Sequence, residues 1–403
     1  VKRFILAIVG VISLAVPGAT LAHEGHRPSG PSVVVQWNQT LLNILNTPGN
    51  QPATVHPTRS MAILHLAIFD GIRAAGHGAS RSAAADGAAH KVLVTLFPAQ
   101  QQTLDTQFGT LLAQVPDTRR RDAGVAIGER AAAAVLAARA DDGSTVTPPA
   151  YDPGPNPKPG VYRLTPPNNA PAVFTHWAAV TPFALRHGAQ FRPGPPPALT
   201  SHAYAAALNE VQSLGDVNST TRTAEQTTIG KFWAPPIQNF WNQIAETIAI
   251  QHHDRVKEDA ALFAALDVTL ADSAIAMYDA KYTYAFWRPV TAIQATSNPT
   301  WLPLAGNTAA DPSYVGAHST ISAAAGTVLA AFFGDRDHFD VTSSALPNVT
   351  RSFDRISAAV DEAGLSRIYA GQHFRFDDVA GRALGRSVAA FDLPRVLFGH
   401  GRR

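Results

Sequence analysis

Ser366-Arg367-Ile368-Tyr369-Ala370-Gly371-Gln372-His373-Phe374-Arg375-Phe376-Asp377 places an arginine, a glycine, a histidine and an aspartate within one short stretch. Beyond it, Val379, Ala380, Leu384, Val388 and Phe391 recur at helical spacing. The pattern predicts a loop that turns at Gly371 and a helix with His373 in its first turn. Free N–H groups and a partial positive charge make such a helix end attractive to anions. Asp377 then falls on the same helical face as His373, where it can set the tautomer of the imidazole and raise its basicity. The stretch reads as an anion site whose histidine binds, or attacks, the central atom of an oxyanion. Taken alone, it reads equally well as a helix start with a satisfied core histidine.

Two stretches further out shift that balance. In Lys281-Tyr282-Thr283-Tyr284-Ala285-Phe286-Trp287-Arg288-Pro289, the lysine and arginine stand about two helical turns apart. On a continuous helix both cations point the same way, and Pro289 ends or caps the segment. In Asp311-Pro312-Ser313-Tyr314-Val315-Gly316-Ala317-His318-Ser319, a glycine again precedes a histidine. A small-residue helix from Thr320 to about Phe333 follows.

Together the three stretches resemble the signature of the phosphatidic acid phosphatase type 2 and vanadium-dependent haloperoxidase superfamily. That signature runs lysine, six residues, Arg-Pro; then Pro-Ser-Gly-His; then Ser-Arg, five residues, histidine, three residues, aspartate. Lys281, Arg288 and Pro289 match its first part, His318 its second, and Ser366, Arg367, His373 and Asp377 its third. The resemblance covers roughly the last third of the chain, and so many spaced matches in the right order make it specific. It is similar to the secreted bacterial haloperoxidase-like branch, whose N-terminal helical part the segment Trp37 to Ala75 resembles more weakly. One departure stands out: Gly316-Ala317 replaces the usual Ser-Gly, so the serine hydroxyl that contacts the oxyanion is missing. Glycine there can serve a positive φ at the turn.

The resemblance implies an all-α fold, a helical bundle of the vanadium haloperoxidase and acid phosphatase type. It implies that Lys281, Arg288, Gly316, Ala317, Arg367 and His373 hold vanadate, or phosphate as the substrate moiety. His373 would be the metal ligand to vanadium, with His318 as general acid and base, and Lys281 and Asp377 assisting. The activity implied is that of a vanadium-dependent haloperoxidase, a peroxidase oxidising halide with hydrogen peroxide. The alternative is a secreted acid phosphatase that hydrolyses a phosphate ester through a phosphohistidine. A non-catalytic oxyanion-binding protein is a third reading, supported by the missing serine. The fungal chloroperoxidases of the superfamily place an aromatic halide-pocket residue seven before the acid–base histidine. Here that position is Asp311, and a carboxylate repels halide unless it points away or is protonated.

Composition agrees with an enzyme acting on small molecules. The chain has 403 residues, 46% of them apolar, enough for one large or two smaller domains. Its formal charge of +2 and the lack of a basic run exclude nucleic acid as a partner. Lys2-Arg3, an apolar run from Phe4 to Val16 and Thr20-Leu21-Ala22 read as a signal peptide over residues 1–22. That predicts a periplasmic or secreted protein with no membrane attachment after cleavage. With no cysteine, an exported fold gains nothing from disulfides.

Along the chain, 23–32 reads as a flexible lead, 33–141 as an N-terminal helical part and 201–395 as the catalytic helical domain. Between them, 142–200 carries fourteen of the thirty prolines, so helices cannot persist there. Phe174, His176, Trp177 and Phe183 mark it as an ordered wrap that walls the active-site mouth. His65, on an apolar helix face, reads as core, and His252-His253-Asp254 as a solvated helix end. No alternating strand run stands out.

Overall fold

The computed structural model describes residues 30–52, 55–253 and 255–399. The signal-peptide reading of 1–22 and residues 23–29 of the lead lie outside these residues.

The N-terminal part consists of α1 (Val33–Asn46), α2 (Val55–Ala74), α3 (Arg81–Leu96), α4 (Gln101–Leu112) and α5 (Thr118–Ala138). Serine or aspartate side chains cap α1, α3 and α5: Ser32, Ser80 and Asp117 each accept from a first-turn N–H. The second part begins with α6 (His202–Leu214), α7 (Ala224–Phe232), α8 (Ile237–Gln251) and α9 (Val256–Tyr284). It continues with α10 (Pro289–Thr296), α11 (Ala317–Phe333), α12 (Ile356–Tyr369) and α13 (Arg375–Phe398). The expected all-α class is what the described residues adopt, apart from one hairpin. That hairpin pairs β1 (Phe339–Ser343) with β2 (Leu346–Phe353) antiparallel. Its signal is the alternation Phe339, Val341, Ser343, all buried, which is too short to stand out against helical surroundings.

α9 is the axis of the molecule. By length and composition it could cross a membrane, but 94% of its most apolar window is buried inside the protein. α2, α11 and α13 pack along it, so the N-terminal helices and the later ones share one hydrophobic core. α11 and α13 approach closely because small residues line the seam. A Cβ on Gly381 would stand 2.7 Å from the carbonyl of Gly316. The start of α11 is therefore seated directly against the first turns of α13.

Residues 142–200 contain two single-turn 3-10 helices and are otherwise irregular. Their backbone is tied down from several sides. Asp272 on α9 accepts the N–H groups of Phe183, Ala184 and Leu185 at 2.7–2.8 Å. The N–H of Trp287 donates to Gly160 at 3.0 Å, and the Tyr314 hydroxyl to the carbonyl of Gly194 at 2.7 Å. Trp177 is buried beside Phe174, which meets Tyr278 edge-on. The wrap is held by the same segments that carry the candidate site.

Candidate active site

Lys281 and Arg288 come together by a route other than the expected continuous helix. α9 stops at Tyr284, and Ala285 takes a left-handed conformation at φ 41°. Such a conformation costs a non-glycine residue about 1 kcal/mol. The chain then runs extended to Arg288, whose φ −82° and ψ 156° follow from the proline after it. Pro289 does not end a helix; it opens α10 at the first helical position, where its missing N–H costs nothing. The two cations converge through a shared acceptor, Asp311. Its carboxylate pairs with the guanidinium of Arg288 and lies 3.6 Å from the ammonium of Lys281. Lys281 also donates to the carbonyls of Pro312 and Ser313.

His373 lies just before the helix rather than in its first turn: α13 begins at Arg375, with Phe374 as N-cap. Its position is set by how α12 ends. Gly371, at φ 76°, receives the turn, while the N–H groups of Gly371 and Gln372 donate to Ile368 and Arg367 at 3.0 and 2.8 Å. A Cβ at Gly371 would meet the carbonyl of Gly215 at 2.7 Å, so no other residue fits without movement. The turn carries Arg367 on its near side and His373 on its far side. Asp377 then reaches back from the third position of α13, accepting from Phe374 N–H and His373 Nδ1, each at 3.0 Å. Ser313, which none of the motif matches singles out, donates to the same carboxylate oxygen at 2.5 Å.

These bonds define the proton on His373. Arg288 Nη1 lies 3.1 Å from His373 Nε2 and can only donate. Nε2 is therefore the unprotonated nitrogen, and Nδ1–H faces Asp377. Burial, then the charges of Arg288, Lys281 and Arg367, hold this imidazole well below its ordinary pKa. Burial raises Asp377, against the opposing pull of Ser313, the Phe374 N–H and the cations.

His318 lies in the first turn of α11, after Gly316 as N-cap with no capping side chain. Gly316 sits at φ −69°, so its place does not depend on a positive φ. Its N–H donates to the carbonyl of Asp377 at 3.0 Å. Ala317, next in the chain, is the first residue of α11. His318 Nε2 is 2.8 Å from the carbonyl of Trp233, which can only accept. Arg367 Nη1, which can only donate, is farther from the same nitrogen at 3.3 Å, so the shorter contact to the carbonyl decides: Nε2 carries the proton, and Nδ1 is the basic nitrogen of the neutral ring. Arg367 donates to the same carbonyl at 3.0 Å and to that of Gly230 at 3.2 Å. Both carbonyls belong to the C-terminal end of α7, whose free acceptors and partial negative charge suit a cation. Lys231-Phe232-Trp233 marks that helix end in the sequence, but nothing there says what it holds. Burial first, then Arg288, lowers Arg367 to about 10. Burial and Arg367 likewise push His318 well below its ordinary pKa.

The structure thus brings Lys281, Arg288, His373 and Asp377 into one bonded cluster, with Asp311 and Ser313 added. A second cluster joins Arg367 and His318 at 3.3 Å. The bond from Gly316 N–H to the Asp377 carbonyl and the tight turn from Arg367 to His373 set the two clusters side by side. Three cations against two carboxylates leave one positive charge in excess. Among the described residues Arg367 has no carboxylate within ion-pair reach, and its Nε has no hydrogen-bond partner. A buried guanidinium without a carboxylate and, in the neighbouring cluster, an imidazole nitrogen without a proton suit a tetrahedral oxyanion such as vanadate. His65 is core, as expected, stacked on Phe263 and paired with Asp267. His252 is exposed at the end of α8, 2.8 Å from Asp337.

Comparison with known proteins bears on this arrangement. A family model described as the VCPO second helical-bundle domain matches residues 261–397, the segment carrying every cluster residue except the α7 carbonyls. A vanadium chloroperoxidase of Curvularia inaequalis is 26% identical over 266 residues, covering 46% of this chain. The match spans 43% of that protein's length, less than half of it. A structure described as the first bacterial vanadium-dependent iodoperoxidase superposes with a TM-score of 0.78 at 23% identity, covering 92% of this chain and 98% of the other. A holo-type bacterial vanadium-dependent chloroperoxidase superposes with a TM-score of 0.70 at 15% identity, covering 93% and 99%. At these identities the structural likeness concerns the fold.

Proposed function

We propose that the chain is a vanadium-dependent haloperoxidase-like enzyme of the vanadium haloperoxidase and phosphatidic acid phosphatase type 2 superfamily, a reading supported by the family-model match over residues 261–397. The observation that carries this reading is the neutral His373, whose Nε2 lone pair faces the Arg288 guanidinium, in a site whose third cation, Arg367, has no carboxylate among the described residues. Such a nitrogen can bind the central atom of an oxyanion, while Arg288, Arg367 and Lys281 neutralise its oxygens.

Vanadate bound there would supply the electrophilic centre that activates hydrogen peroxide toward halide. The chain's own residues do the rest. Asp377 accepts the Nδ1 proton of His373 and so keeps Nε2 free and the ring oriented. Ser313 and the Phe374 N–H hold Asp377 in turn. Arg288, pinned by Asp311 and the carbonyl of Gln372, keeps a guanidinium edge beside Nε2. His318 is the proton carrier of this scheme. Its Nδ1 accepts a proton, and the low pKa of the ring makes it quick to give the proton back. We place the enzyme in the periplasm or outside the cell, on the basic, apolar and small-residue pattern of residues 1–22.

The same nitrogen could attack phosphorus, so the deciding experiment compares both reactions. Purified protein, with and without added vanadate, is assayed for peroxide-dependent halogenation of a dye and for hydrolysis of a generic phosphate ester. Halogenation that requires vanadate is the expected result. Ester hydrolysis inhibited by vanadate, without halogenation, would replace this reading with the phosphatase. Anion binding with neither activity would leave an oxyanion-binding protein.

A further inference from the structure

We propose that Asp311 determines which oxyanion the site prefers, biasing it toward a singly charged tetrahedral anion such as vanadate and against a doubly charged one such as phosphate. The inference rests on the oxyanion-site reading above and deepens it. Asp311 is buried at 4% exposure and cannot swing aside. One carboxylate oxygen pairs with Arg288 and faces Lys281, and the other accepts the Tyr278 hydroxyl at 2.9 Å. Its backbone carbonyl accepts from Arg288 Nε at 2.8 Å. Burial works to raise its pKa, but Lys281 and Arg288 outweigh burial and keep it below the usual carboxylate range. Asp311 therefore neither points away nor is protonated. It is a fixed negative charge among the cations that face the anion.

Its effect follows from Coulomb's law: a fixed carboxylate repels a dianion about twice as strongly as a monoanion at the same place. At mildly alkaline pH inorganic phosphate is mostly a dianion. Orthovanadate, the weaker acid at that step, is mostly a monoanion. Without Asp311 the cluster would carry one more positive charge and would favour the dianion. Two anions of nearly the same shape would thus be separated by charge, which the cations and the histidine cannot do by shape alone.

The test measures the affinity of the full chain for orthovanadate and for inorganic phosphate by isothermal titration at one mildly alkaline pH. Asp311→Asn keeps the shape and removes the charge. It should tighten phosphate about 10-fold more than it tightens vanadate. Asp311→Ser gives a second removal of the charge should the first variant not fold, with melting curves as the check. Tyr278→Phe removes one bond to Asp311 and no charge, and should leave the ratio of affinities unchanged. An unchanged ratio in both Asp311 variants overturns the inference, as does an equal shift in Tyr278→Phe, which would make Asp311 a mere support. If the unaltered protein binds neither anion, the oxyanion-site reading itself fails. If it binds both with a ratio insensitive to Asp311, that reading stands and only the inference falls.

Discussion

Around His373 carboxylates stand beside every functional group: Arg288 and Lys281 share Asp311, and the neutral imidazole is held by Asp377. Around His318 the described residues offer no carboxylate. Its wall is the end of α7, and Arg367 and His318 share the carbonyl of Trp233. The first wall is largely compensated without a ligand, since Arg288 and Lys281 share the Asp311 carboxylate and Asp377 holds the imidazole. The second is electrically unfinished, because a helix end supplies only about half a charge against a whole one on Arg367. On the proposed reading, an anion entering between them would gain an oriented nitrogen from the first wall and an uncompensated charge from the second. The difference separates two jobs that the sequence motifs do not distinguish: holding geometry and attracting charge.

Three experiments can break or sharpen that contrast, beginning with the largest effect. Replacing His373 by alanine removes the one lone pair held ready by Asp377, so vanadate binding and activity should both vanish. His318→Ala should leave vanadate affinity within a few-fold of the original while turnover falls about 10²–10⁴-fold, the usual worth of a general acid–base group. Vanadate titration beside a halogenation assay reads both, and parallel loss of binding in the two variants would merge the two walls into one.

The next pair concerns stability without ligand. Arg288→Met leaves Asp311 buried with only Lys281 nearby and should cost about 3 kcal/mol, as one-sided breaking of buried pairs does. Arg367→Met removes a buried charge that lacks a carboxylate and should stay within about 1 kcal/mol of the original protein. Melting in buffer free of phosphate and vanadate compares them. Equal losses would mean that the α7 end compensates Arg367 as fully as a carboxylate does.

The smallest effect lies at Gly316, on the seam between the walls. A serine hydroxyl there is worth about 1.5 kcal/mol toward a charged oxyanion, about 10-fold in affinity. The backbone, at φ −69°, accepts serine without strain. Its Cβ would sit 3.2 Å from Ser319 Oγ and 3.3 Å from the Asp377 carbonyl, so those neighbours must yield slightly. Gly316→Ser should therefore tighten vanadate by somewhat less than 10-fold. If the variant melts like the original and its affinity is the same, the missing hydroxyl is already replaced by another donor.

Much of this molecule could be read from the chain alone. The helical class follows from apolar periodicity, which reports local geometry and needs no partner. The identity of the cluster residues was legible because the charged and imidazole side chains of the three stretches stand at fixed intervals, with glycine at the turn. The proline content of 142–200 forbade helix, and its aromatics implied packing, since apolar surface of that size is not left in water. Other features depended on contacts between distant segments. That Lys281 and Arg288 meet through Asp311, across a left-handed Ala285 rather than along one helix, was decided by the packing of α10 and the 311–316 segment. So was the support of Asp377 by Ser313, and so was the use of the α7 end to hold Arg367. A sequence lists which charges exist. Which of them cancel and which remain open to a ligand is a question of distance and burial, because the Coulomb energy of a pair depends on separation and on the water excluded around it. Tertiary packing sets both.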